Sequence, residues 1–268
     1  MARSIILKDF MQGIKIAVSG KGGVGKTTIS ALLSIAFSKK GFKVLAVDCD
    51  PNASLSNYLG IKEEVKPIIE MRSLIEERME VKLDSIGSFF KLNPKVDDIP
   101  ERFSKSIDGI KVISMGGIKK GGTGCACPEN TFIKSLISHL VLHRDEVVIM
   151  DMEAGVEHFG RGTAEGVDVL IIVVEPSFAG IKTANKIKKL AKDIKIKKVF
   201  IIINKIRDEK EKEYILKHFN KEEVLGELFM EDEIQEQSLN GIFPIKLGKE
   251  NLKRFEDIFC NLESIKAK

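Results

Sequence analysis

Four cysteines, seven prolines and a net charge of only +4 across 268 residues leave this chain without the marks of several protein classes. Cysteines so sparse, at positions 49, 125, 127 and 260, cannot brace a fold of this length with disulfides, and a reducing compartment would keep them as thiols. The 43 basic side chains are nearly matched by 39 acidic ones, so composition supplies no polycation of the kind that binds nucleic acid unaided. Long hydrophobic runs are missing too. The strongest, Val169-Leu170-Ile171-Ile172-Val173-Val174, is closed by Asp168 and Glu175, whereas a spanning helix takes about 20 apolar residues. Near the start, Ile5-Ile6-Leu7 gives way to Lys8-Asp9, too short an apolar core for a secretory signal. A cytoplasmic location is therefore expected, with no stable membrane association and no nucleic-acid partner.

At 43% hydrophobic and 31% charged, the composition is that of a globular protein. Short β-branched runs at 14–19, 43–48, 110–115, 146–151, 169–174 and 198–204 alternate with helical patterns, the rhythm of repeated βαβ units. They are apolar almost throughout, which suits strands covered on both faces. The expected architecture is α/β: a doubly wound, mostly parallel sheet flanked by helices. A helix over 26–40 stops at Gly41, and another over 128–143 starts with Pro128 in its first turn. The charged stretch 60–108 has no strand of comparable strength and reads as a helical insertion. No Gly/Ser-rich linker or internal repeat divides the chain, so 1–268 is read as a single P-loop domain.

The sharpest motif is Gly20-Lys21-Gly22-Gly23-Val24-Gly25-Lys26-Thr27-Thr28, which fits GxxxxGK[ST] between an expected strand and an expected helix. Glycines let successive backbone N–H groups turn toward phosphates, Lys26 neutralises the β/γ oxygens, and the Thr27 hydroxyl can reach Mg²⁺. Lys21, directly after the first glycine, makes the loop resemble the deviant Walker A loop of the MinD/ParA/nitrogenase-iron-protein class. That resemblance covers most of the chain. It implies an ATPase and a homodimer in which Lys21 reaches the nucleotide of the facing subunit. A lysine acting in cis beside its own phosphates is the plainer alternative.

Acids sit at strand ends, where α/β sheets bind ligands. By the same resemblance Asp50, in Asp48-Cys49-Asp50-Pro51, is the switch I carboxylate that orients the attacking water, with Asp48 nearer the Mg²⁺ shell. Asp151-Met152-Glu153-Ala154-Gly155 looks like a Walker B and switch II, Asp151 holding Mg²⁺ through water and the Gly155 N–H sensing the γ-phosphate. ATP is expected over GTP: Asn204-Lys205-Ile206-Arg207 resembles the NKxD base-reading loop, but Arg207 stands where the guanine-reading Asp belongs. The resemblance to the deviant Walker class further implies Asn204 on the adenine edge, and the Lys205 stem could pack against the base.

Gly124-Cys125-Ala126-Cys127-Pro128-Glu129-Asn130 places two thiols in a loop that runs into a helix N-terminus, whose dipole and free N–H groups are expected to stabilise a thiolate at Cys127. Thiolate is the form that binds soft or borderline metals. One Cys-x-Cys supplies two sulfurs where a closed tetrahedral site takes four ligands, and a twofold dimer would supply all four. His139 and His143 stand at zinc-finger-like spacing, but on one helix His139 lies roughly 17 Å from Pro128 at 1.5 Å per residue, too far to share the ion. Cys49 and Cys260 read as inert thiols.

The cysteine loop and Asp151-Met152-Glu153-Ala154-Gly155-Val156-Glu157-His158-Phe159-Gly160-Arg161-Gly162 together resemble the CooC-type nickel-maturation ATPases of carbon monoxide dehydrogenase. What this implies is an ATP-driven metallochaperone that holds Ni²⁺ or Zn²⁺ between paired loops, with that dehydrogenase as client. Glu157 and His158 are left out of the ligand set. Two alternatives use the same nucleotide switch. A partitioning or positioning ATPase would act on membrane through the stripe Leu252, Phe255, Phe259, Leu262 and Ile265, or on DNA through the lysine-rich segment 181–198 with Lys182, Lys186 and Lys189. An electron-transfer ATPase would hold an iron–sulfur cluster on the same four sulfurs.

Overall fold

The computed structural model describes residues 13–83, 89–116, 127–138, 140, 146–153 and 167–264. Eight strands form one sheet. In chain order they are β1 (Ile14–Gly20), β2 (Lys43–Asp48), β3 (Lys105–Ile107), β4 (Ile110–Ser114), β5 (Glu146–Asp151), β6 (Val169–Val174), β7 (Lys198–Ile206) and β8 (Val224–Phe229), laid side by side as β3-β4-β2-β5-β1-β6-β7-β8. Every neighbouring pair is parallel except β3 with β4. The doubly wound, mostly parallel sheet expected from the apolar runs is thus present, and β6 is buried at every position, as a strand covered on both faces must be.

The helices are α1 (Lys26–Lys39), α2 (Leu55–Tyr58), α3 (Arg72–Met79), α4 (Ile99–Phe103), α5 (Pro128–Ser138), α6 (Phe178–Asp193), α7 (Glu209–Leu216), α8 (Asp232–Leu239) and α9 (Lys249–Ser264). Alternate side chains of each strand feed two cores. One holds Ile16, Val18, Ala46 and Ile149 against Ile29, Leu33 and Phe37 of α1 and Phe255, Phe259 and Leu262 of α9. The other holds Ala17, Val47, Ile113 and Leu170 against Phe132 and Leu136 of α5 and Ile181 and Ile187 of α6.

Three of the five residues in the stripe considered above for a lipid surface are therefore spent on the sheet, with Phe259 edge-on to Phe37 at 4.8 Å between ring centroids. Leu252 remains half exposed, and Ile265 lies outside the described residues. None of the described helices is long and apolar enough to cross a membrane. Among its described residues the 60–108 stretch contains a 3-10 turn, α3, α4 and the short strand β3, so it is not wholly helical.

β8, the last strand, is fastened by α9. Asn251 accepts from the Phe229 N–H at 2.9 Å and donates to its carbonyl at 2.7 Å, and Asn261 donates to the Leu225 carbonyl at 2.8 Å.

Candidate functional site

The parallel order brings the carboxyl ends of β1, β2, β5, β6 and β7 to one edge. There β1 runs directly into the glycine-rich loop. Gly20 lies so close to β6 that a Cβ would sit 2.3 Å from the Val173 carbonyl oxygen. Val24 is fully buried beneath the loop, and Gly25 leads into α1 in a left-handed conformation, φ +96°. No side chain among the described residues caps the first turn of α1, which suits an N-terminus whose N–H groups await an anion. Lys26 is buried, its ammonium 3.4 Å from the Lys21 carbonyl.

A Cβ on Gly25 would fall 2.4 Å from Asn204 Nδ2. Gly25→Ala therefore combines left-handed strain of about 1–2 kcal/mol with a displaced amide. It is expected to weaken ATP binding by about tenfold, measured by fluorescent-nucleotide titration.

Two acids face this loop from adjacent strand ends, Asp48 paired in register with Asp151. Both are almost fully buried. Asp48 accepts from the backbone N–H of Asp50 at 3.0 Å and of Leu55 at 2.8 Å, yet burial still pushes its carboxyl up to about 6. Burial raises Asp151 to about 7, assisted by the Asp48 charge and opposed by the Thr27 hydroxyl, by Lys26 and by Ser30, whose hydroxyl donates to it at 3.2 Å. The second oxygen, Asp151 Oδ2, is buried with no hydrogen-bond partner among the described residues. Two close carboxylates short of compensation, beside a threonine hydroxyl and a phosphate loop, are a donor set that fits a hard divalent cation such as Mg²⁺. Asp50 caps its own turn, accepting from the Asn52 N–H at 2.9 Å, and lines the same cavity.

That cavity, about 690 Å³, is bounded on one side by Gly22, Gly23, Lys26, Thr27, Thr28 and Asp50. Its other side brings in Tyr58, Phe229, Met230, Glu231 and Gln235, none of which the sequence reading singled out. They arrive from α2 and from the end of β8 with α8. The missed signal is the 224–229 run, where Gly226-Glu227 interrupts the apolar residues and conceals a strand. Asn204 and Lys205 line the cavity as well, but both also tether the phosphate loop. Asn204 Nδ2 donates to the Val24 carbonyl at 2.8 Å, and Lys205 Nζ donates to the Gly23 carbonyl at 2.6 Å from a left-handed backbone, φ +62°. Lys21 donates to Glu175 Oε1 at 2.8 Å.

Cys127 stands half-buried at the start of α5. The expectation of a stabilised thiolate there is overturned. Burial raises the thiol above its ordinary value, the neighbouring Glu129 adds to that, and the Asn130 backbone N–H pulls the other way without prevailing. Cys49 is pushed up further, by burial and by the charges of Asp48, Asp151 and Asp50, in keeping with an inert thiol. Cys125, Gly155, Glu157, His158, His139 and His143 lie outside the described residues.

Comparison with known proteins identifies the family. The family described as the CobQ/CobB/MinD/ParA nucleotide binding domain matches residues 15–245. An ATP-binding protein of Methanocaldococcus jannaschii is 45% identical over 94% of this chain and 99% of its own length. The carbon monoxide dehydrogenase accessory protein CooC of Rhodospirillum rubrum is 42% identical, covering 85% and 88%. Among solved structures, the septum site-determining protein MinD of Pyrococcus horikoshii, complexed with Mg-ADP, superimposes with a TM-score of 0.63 at 22% identity, covering 96% of this chain and 99% of that one.

Proposed function

From the chain's membership in the CobQ/CobB/MinD/ParA nucleotide-binding family, and hence its nature as a P-loop ATPase, we propose that it is an ATP-driven accessory factor for metal-centre assembly, with carbon monoxide dehydrogenase as client. The observation that carries the nucleotide chemistry is Asp151 Oδ2, buried next to Asp48 at the mouth of the phosphate loop and without a hydrogen-bond partner among the described residues. ATP is the substrate. Its phosphates lie against the loop N–H groups from Gly22 to Thr28, and Lys26 draws charge from the β/γ oxygens. Thr27, Asp48 and Asp151 would hold Mg²⁺, which when bound offsets the phosphate charge. Asp50, released from its turn, orients the attacking water. Asn204 and Lys205 fix the loop and border the base, and the Gly155 N–H senses the γ-phosphate.

The cargo is Ni²⁺ or Zn²⁺. Two chains face each other across their nucleotides, Lys21 of each reaching toward the other, and contribute Cys125 and Cys127 twice over to a four-sulfur site. The client assignment is supported by the 42% identity to the CooC protein over most of both chains. Binding of metal and of ATP would then strengthen each other.

The test is an anaerobic titration of the purified protein with Ni²⁺ and Zn²⁺ without nucleotide, with ADP and with a non-hydrolysable ATP analogue, molecular mass being followed in each state. One ion per two chains, a doubled mass and a tighter metal affinity with the analogue are the expected results. Single chains throughout, or identical metal curves in all states, would remove the reading.

A further inference from the structure

The phosphate loop is surrounded by three lysines, and each of them is engaged by an acceptor of the protein itself. Lys26 leans on the Lys21 carbonyl, Lys205 on the Gly23 carbonyl and Lys21 on the Glu175 carboxylate. The first two are bonds to the loop's own backbone. The third is a bond to a side-chain anion, and an anion is what a nucleotide brings.

We propose that Glu175 is a positioning residue that competes with the nucleotide's phosphates for the Lys21 ammonium, holding this lysine aside until a triphosphate displaces the carboxylate. The inference deepens the preceding reading of the site and rests on it.

Placement is what makes the competition unavoidable. Gly20 is pressed onto the Val173 carbonyl, so the residue after it emerges beside the end of β6, which Glu175 directly follows. Glu175 is itself held by a second donor on the same carboxylate oxygen that Lys21 meets. Ser177 donates its hydroxyl to Oε1 at 3.2 Å, and the same hydroxyl accepts from the Gly180 N–H at 2.9 Å as the cap of α6. The carboxylate therefore keeps its geometry when the lysine leaves. The Lys21 ammonium, with the Ser177 hydroxyl and the Lys205 charge, holds the Glu175 carboxyl below the usual carboxylate range.

The contact is also weak enough to be released. With the two side chains 41% and 23% exposed, this is an ion pair near the surface, of modest worth in water. A polyphosphate in the loop offers Lys21 more negative charge than one carboxylate does. Glu175 then sets the threshold for freeing Lys21 without closing the site.

The experiment is calorimetric titration of Mg²⁺ and the non-hydrolysable ATP analogue into wild-type protein, Glu175→Gln, Glu175→Ala, Lys21→Gln and the double variant Lys21→Gln/Glu175→Gln, with the mass of every sample recorded. Removing the carboxylate is expected to tighten analogue binding about two- to fivefold, the scale of an exposed ion pair. In the Lys21→Gln background the same substitution is expected to do nothing, which separates release of Lys21 from a general loss of negative charge near the phosphates. Equal or weaker binding by both single Glu175 variants, or a gain that persists without Lys21, would overturn the proposal. Wild-type protein that stays single-chained with analogue and metal would instead sink the two-chain reading, while the affinity comparison still decides the role of Glu175.

Discussion

Lys26→Ala is expected to cut ATP turnover roughly a hundred- to a thousandfold, the loss that follows removal of one preorganised group aimed at developing charge. The argument is local. The ammonium is drawn out of water, with the lysine only 8% exposed, and its contact with the Lys21 carbonyl is a long one, 3.4 Å. A cation desolvated to this degree and so loosely paired is prepared for an anion, and it gives more to a phosphate than a solvated lysine would. Lys26→Arg is not expected to rescue, because a planar fork cannot replace a compact charge beneath the loop. Phosphate release at saturating ATP is the measurement. Turnover within tenfold of wild type would place the hydrolytic site elsewhere.

The second large effect is on metal. Replacing Cys125 and Cys127 together with serine is expected to take bound Ni²⁺ or Zn²⁺ from one ion per two chains to none. A closed thiolate site is worth on the order of 10 kcal/mol or more, and serine hydroxyls stay protonated where a ligand must be anionic. Because the Cys127 thiol is held above its ordinary value, metal capture has to expel a proton that the protein retains. Wild-type affinity is therefore expected to rise steeply as pH climbs toward the ordinary thiol range, and proton release on metal addition should be visible in weakly buffered solution. Full metal stoichiometry in the doubly substituted protein would show the ligand set to be wrong.

The nucleotide half of the site was legible in the sequence because its chemistry fixes both residue type and spacing. A loop that must aim N–H groups at phosphates needs its glycines, and Gly20, Gly23 and Gly25 all have positive φ. The six strongest apolar runs correspond to strands because central parallel strands carry no polar face to disguise them. What was not legible came from packing. The β8 segment looks like a broken run until Ile258 of α9 is seen to fill the space a side chain at Gly226 would need. Tyr58, Met230 and Gln235, which line the cavity across from the phosphate loop, are far apart in sequence and meet only through the sheet order. Glu175 served as the boundary of an apolar run, and nothing in the sequence says that Lys21 lies against it. At Cys127 a helix terminus and a burial penalty act in opposite directions, and sequence displays only the first. The α9 stripe shows a limit of another kind, since an amphipathic pattern reads the same whether its apolar face meets lipid or a sheet.

The fastening of β8 by Asn251 and Asn261 limits how copies of this protein can come together. Unsatisfied backbone on a terminal strand invites a foreign strand to extend the ladder, a common route to runaway polymers. Here amide side chains act as a selvedge, stitching down Leu225 and Phe229 before a stranger could hydrogen-bond to them. At the opposite margin β3 has only three residues, a short foothold for such growth. With both margins so managed, neither edge of the sheet offers a long open ladder for another strand to join.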